Sequence, residues 1–259
     1  MNGIKELIEE MSEIKEIESI ALAGSRSINL DDKLSDYDIC VYSERPIDKE
    51  KRREVLRKYC KYMEIENTYW ETEDDCILNN GVVVEFIYRD IKGFEDVIKS
   101  VLIDGNAYNG YTTCMWDNLL SCKILFDRNN KLTELKKKYD IPYPEKLKNN
   151  IVKKNLELLD GYIPSFSKQI KKAGKRGDIV SVNHRITEFL ASYFDLVFAY
   201  NKVTHPGEKR MIENCIRKCK SLPENFEENI KLLLSNLYSP EVINYALESI
   251  LKNLKSWMK

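Results

Sequence analysis

The 259-residue chain lacks an apolar run long enough to cross a bilayer. Its longest, Phe189 to Tyr200, falls short of the roughly 18 residues a spanning helix needs and is interrupted by Asp195. No C-x-x-C pair occurs among its seven cysteines, and Cys215 and Cys219 stand merely one helical turn apart. An odd number without paired spacing favours reduced thiols of a cytoplasmic protein over a disulfide framework or a zinc site. Histidine is nearly absent: His184 and His205 belong to different local elements. The chain has neither an internal repeat nor a low-complexity tract. It also has no basic, aromatic-interleaved groove, and its net charge is −1. Both features argue against a polynucleotide polymerase or another nucleic-acid partner. Met1 leads into a charged helix rather than a basic, then apolar, signal sequence.

What is present suits a globular protein, with 43% hydrophobic and 32% charged residues. The near-zero net charge hides two halves of opposite sign. Residues 1–144 carry 21 basic and 29 acidic side chains, a balance of −8, and residues 145–259 carry 20 and 13, a balance of +7. This fits an acidic metal-binding lobe and a basic lobe that attracts a polyanion, or two domains that dock by charge.

Pattern divides the chain in the same place. Ile4, Leu7, Ile8, Met11, Ile14 and Ile17 predict an amphipathic helix over 4–17. Strands follow at Ile20–Ala23 and Asp36–Tyr42, separated by the polar segment Ser27–Ser35. A basic helix is predicted over 49–63, then β-like stretches at 64–71, 76–78 and 82–88, with Asn79-Asn80-Gly81 as a hairpin turn. Helices at 90–102, 113–120 and 131–139 surround a strand at 123–126. After Pro142 and Pro144 the pattern is helical throughout, at 145–160, 164–173, 178–201, 207–220, 224–236 and 240–257. The expected organisation is an α+β domain over 1–142 and an all-α helical bundle over 143–259.

Chemistry concentrates at Gly24-Ser25 and, ten residues on, Asp36-Tyr37-Asp38. In an extended strand Asp36 and Asp38 project from one side. Two adjacent carboxylates raise each other's pKa unless a cation neutralises them. Oxygen-only ligands suit Mg2+, which takes one or two carboxylates plus substrate phosphates. A Gly-Ser turn offers N–H groups and a hydroxyl to those phosphates. Glu85 is a lone charge in the apolar strand Val82–Ile87. An unpaired buried carboxylate costs several kcal/mol, so it wants a cation or donors. Arg89 and Lys92 are the alternative partners.

These residues resemble the DNA polymerase β-like nucleotidyltransferase superfamily: Gly24-Ser25, ten residues, Asp36-Tyr37-Asp38-Ile39, then an acidic residue in a later strand. Within it the chain is similar to small bacterial nucleotidyltransferases with a C-terminal helical domain, such as aminoglycoside and lincosamide adenylyltransferases. Lys123–Asp127 resembles the strand that often closes this domain, and His205-Pro206-Gly207-Glu208-Lys209 a phrase from its helical partner. One departure is that Arg26-Ser27-Ile28-Asn29-Leu30 lacks the further glycine of many antibiotic-modifying relatives. The resemblance implies a polymerase β-like mixed sheet and two Mg2+ ions held by Asp36 and Asp38. It also implies contacts from Gly24 and Ser25 to the β- and γ-phosphates of ATP or another NTP. Glu85 would complete the metal site or act as general base. Nucleoside monophosphate, AMP in the leading reading, would pass to a small-molecule hydroxyl with release of pyrophosphate. Arg26 reads as a phosphate contact or as an exposed loop residue.

The acceptor side is sought on the helix 178–201. His184, Glu188, Ala191, Asp195 and Lys202 share one stripe, opposite Ile186, Phe189, Leu190, Tyr193, Leu196 and Val197. That stripe is either the solvated side of a core helix or a surface where Glu188 and Asp195 bind a cationic acceptor. Lys209 and Arg210 are placed in the first turn of the next helix, against the helix dipole, and Lys209 is a candidate triphosphate contact. Two further readings stay open: nucleotidyl transfer to a protein or RNA, as in toxin–antitoxin pairs, and a nucleotide-binding module without turnover. The oligomeric state is not legible.

Overall fold

The computed structural model describes residues 2–28 and 35–259. Most of the polar segment expected at Ser27–Ser35 therefore lies outside the described residues. The chain forms two compact units, residues 1–99 with 115–141, and residues 100–114 with 142–259.

The first unit is built on one six-stranded sheet. Its strands are β1 (Ile17–Leu22), β2 (Tyr37–Ser43), β3 (Cys60–Asn67), β4 (Thr72–Leu78), β5 (Val83–Asp90) and β6 (Lys123–Asp127), in the order β3-β4-β5-β2-β1-β6. The β2–β5 pair is parallel and the other pairings are antiparallel, so the sheet is mixed, as expected. Alternation explains its two faces. Ile39, Val41, Val84 and Phe86 are fully buried in one core with Leu7 and Met11 of α1 (Asn2–Ser12) and Leu56 of α3 (Lys49–Leu56). Their neighbours Asp38 and Glu85 therefore project from the opposite face. The ion pair of Arg52 Nη1 and Asp74 Oδ1, 2.8 Å apart and almost wholly buried, fastens α3 to β4.

Two expectations change at element ends. The basic helix stops at Leu56 instead of residue 63, and Cys60–Asn67 is the edge strand β3. A bulge between Cys60 and Tyr62 interrupts the strand alternation. The core-facing Leu56, Cys60 and Met63 thus fall at spacings of four and three that resemble a helix. Helix α1 ends at Ser12, yet Ile14 and Ile17 stay buried because the chain folds back onto the same core. Gly24–Ser27 forms a single helical turn, α2.

Three further helices flank or follow the sheet strands: α4 (Ile91–Leu102), α5 (Cys114–Ser121) and α6 (Lys131–Tyr139). The second unit comprises α7 (Glu145–Leu156) with a π-helical turn at Glu157–Gly161, α8 (Phe166–Lys175), α9 (Ile179–Tyr200), α10 (Met211–Lys218), α11 (Phe226–Leu234) and α12 (Pro240–Trp257). Helix α9 is its axis: every residue from Phe189 to Ala199 is buried. A helix covered all round needs partners on every side, and one of these is the segment 100–114. Gly110 of that segment packs so closely on Ala191 that a Cβ would stand 2.9 Å from its Cβ. Among the described residues no helix is long and apolar enough to cross a membrane.

Candidate active site

The parallel β2–β5 register sets Asp38 directly beside Glu85. Asp36 immediately precedes β2, and one carboxylate oxygen from each of Asp36, Asp38 and Glu85 lies within 4.8 Å of the others. All three are half-buried. Asp75 of β4 stands opposite Glu85 on its other side. Burial, then the carboxylates of Asp36 and Asp38, with Asp75 and Glu73 beyond, push the Glu85 pKa up to about 7. A group this crowded by like charge is one that a bound cation relieves. Three convergent oxygen donors suit a hard divalent ion.

The Gly-Ser turn lies against Asp38. Ala23 N donates to Asp38 O at 2.8 Å, carrying the backbone pairing of β1 and β2 up to the turn. Gly24 follows with φ +61°, and a Cβ on it would stand 1.7 Å from Asp38 Oδ2. Glycine is required there twice over, for the left-handed backbone and for the close approach of Asp38. Ser27 Oγ donates to Gly24 O at 2.8 Å and closes the turn.

Arg26 is a partly buried member of α2 and not an exposed loop residue. Its Nε donates to Asp36 O at 2.8 Å and its Nη2 to Ser35 O at 2.5 Å. The guanidinium lies 4.2 Å from the Tyr37 ring centre. It joins the Gly-Ser turn to the backbone that carries Asp36. Nothing in the spacing announces this, because the acceptors are main-chain carbonyls nine and ten residues away. Arg89, two turns of alternation beyond Glu85, is likewise tied down by Glu71, at 2.6 and 2.8 Å, and by Asn118 at 2.9 Å. The alternative pairing of Glu85 with Arg89 is therefore absent.

The second unit sorts its candidates differently. Glu188 is exposed on α9, as the projected stripe requires. Asp195, on the same stripe, is 1% exposed. Its Oδ1 accepts from Thr112 N at 3.0 Å, and its Oδ2 accepts from Thr112 Oγ1 at 2.7 Å and Asn155 Nδ2 at 3.0 Å. The helical projection could not foresee that residues 100–114 cover this part of α9, so Asp195 is an anchor for that segment and not an open acidic surface. Burial raises its pKa to about 6 against the pull of these donors. Lys209 is exposed, in the connection before α10 and not in its first turn, since that helix starts at Met211. His205 is wholly buried, edge-on to the rings of Tyr111 and Phe198, and His184 is exposed on α9.

Three carboxylates converging beside a glycine-serine turn form a donor set that could hold a divalent cation and its phosphate ligand. The family described as nucleotidyltransferase domain matches residues 4–108, and a domain of unknown function (DUF4037) matches residues 113–211. Residues 4–108 are accordingly a nucleotidyltransferase domain. No curated protein matches the chain. Similar solved structures include a nucleotidyltransferase-like protein from Exiguobacterium sibiricum, at 16% identity over 98% of this chain and 74% of that one, with a TM-score of 0.47. An aminoglycoside 6-adenyltransferase from Bacillus subtilis is 11% identical over 96% and 89% of the two chains, with a TM-score of 0.27. A Thermotoga maritima CCA-adding enzyme complexed with tRNA is 11% identical over 99% and 81%, with a TM-score of 0.34.

Proposed function

We propose that the protein moves a nucleoside monophosphate, AMP from ATP, to a hydroxyl of a small molecule and releases pyrophosphate. The observation that carries this is the convergence of Asp36, Asp38 and Glu85 within 4.8 Å beside the Gly24-Ser25 turn. Asp36 and Asp38 would hold two Mg2+ ions, with Glu85 completing the set. When bound, the metal neutralises triphosphate charge and spreads that of an in-line displacement at the α-phosphorus. The chain's own residues do the rest. Gly24 and Ser25 present backbone N–H groups and a hydroxyl to the β- and γ-phosphates. Glu85, with its pKa raised to about 7, is poised either as ligand or as the base that takes the acceptor's proton. Lys209 is assigned to the triphosphate and Glu188 to a cationic group on the acceptor.

In this reading the unit of residues 1–99 and 115–141 is the catalytic domain and that of residues 100–114 and 142–259 the acceptor-binding domain, acting in the cytoplasm, where seven cysteines outside any disulfide are at home. The test mixes the protein with labelled ATP, Mg2+ and a panel of hydroxyl acceptors that includes aminoglycosides and lincosamides. Pyrophosphate is expected with the right acceptor, and Asp38→Ala should abolish its release while the fold persists. An Asp38→Ala variant as active as the parent would sink the mechanism.

A further inference from the structure

The two aspartates reach the Gly-Ser turn by different means. Asp38 is fixed by the sheet: it lies within β2, paired in register with Glu85, and its side chain abuts Gly24. Asp36 precedes the strand, so the sheet ladder does not hold it. What holds its backbone is Arg26, through Nε to Asp36 O at 2.8 Å and Nη2 to Ser35 O at 2.5 Å. The planar guanidinium serves both carbonyls at once, and the Tyr37 ring 4.2 Å away supports its flat face. Arg26 is itself part of α2, two residues after Gly24, and its own carbonyl accepts from Lys123 Nζ of β6 at 3.4 Å. We infer that Arg26 is a positioning residue: it sets Asp36 against Asp38 and Glu85 and locks that spacing to the phosphate-binding turn. The inference rests on the metal-site reading of the three carboxylates. It adds a residue that acts on the metal site through the main chain of Asp36.

The consequence is specific. Loss of the guanidinium leaves the three carboxylates in the chain but frees Asp36 to move, so metal affinity falls without loss of the fold. Outer-shell partners of metal ligands typically contribute about 10–100-fold to affinity. Binding of Mn2+ alone, read by the loss of its free-ion paramagnetic resonance signal, measures this in the absence of any acceptor. Arg26→Gln should weaken Mn2+ binding about 10–100-fold at an unchanged circular dichroism spectrum and melting point. Arg26→Lys keeps a cation and one donor and should fall between parent and Arg26→Gln. Tyr37→Leu removes the platform alone and should weaken binding by a smaller factor. Where Arg26→Gln fails to fold, Arg26→Lys and Tyr37→Leu carry the decision. Parent-like Mn2+ affinity in the folded variants overturns the inference and leaves the metal site standing. A parent protein that binds no Mn2+ removes the metal site, and this inference with it.

Discussion

Replacing Gly24 by alanine adds one carbon where the structure has no room. That Cβ would lie 1.7 Å from Asp38 Oδ2, 2.7 Å from its Cγ and 3.3 Å from its Cβ. Asp38 would have to retreat by roughly 1.3 Å to reach even a 3.0 Å contact, still inside the optimum for non-bonded atoms. The left-handed backbone at φ +61° adds about 1–2 kcal/mol for any residue with a Cβ. At roughly 2–4 °C per kcal/mol for a chain of this size, the melting point should drop by about 2–8 °C. The functional loss should be larger than the loss of stability. A misplacement of about 1 Å costs on the order of a hundredfold in turnover, and losing an outer-shell partner alone costs about 10–100-fold in metal affinity. The assay is a Mn2+ titration of parent and Gly24→Ala beside thermal melts of both. A variant that binds Mn2+ as the parent does would refute the argument that Gly24 is there to let Asp38 approach.

Glu85 should titrate with a midpoint of about 7 in metal-free protein, seen in the carboxyl carbon resonance, and Mg2+ should lower that midpoint. Its folded value stands above the ordinary 4.5, so this group's contribution to stability is full below about pH 4.5 and is lost as pH rises through about 7. A midpoint near 4.5 without metal would contradict the crowding of the three carboxylates. Asp195→Ala should cost about 2–4 kcal/mol, because Thr112 N and Asn155 Nδ2 are left buried without their acceptor. A melting point equal to the parent's would show that Asp195 does not anchor residues 100–114.

The sheet and its carboxylates were legible because both depend on short-range alternation. Asp36 and Asp38 two residues apart, and a single acid inside an apolar strand, already say which side chains share a face. What sequence alone leaves out is register: that Asp38 and Glu85 are direct neighbours follows from the parallel pairing of β2 with β5. Residues 60–63 were read as helix because a bulge shifted the core-facing positions off the period of two. Asp195 was read as open because its cover, Thr112 and Gly110, comes from a loop more than eighty residues earlier. Sequence alone leaves Arg26 as a phosphate contact or an exposed loop residue, because main-chain acceptors leave no trace in side-chain pattern. Each miss is a contact made at long range or through the backbone, where local periodicity carries no signal.

The most direct measurement is a crystal structure of the protein soaked with a non-hydrolysable ATP analogue and Mg2+. Metal density shared by Asp36, Asp38 and Glu85, with the triphosphate on Gly24 and Ser25, is the predicted result. A nucleotide bound elsewhere, with no metal among the three carboxylates, would contradict it.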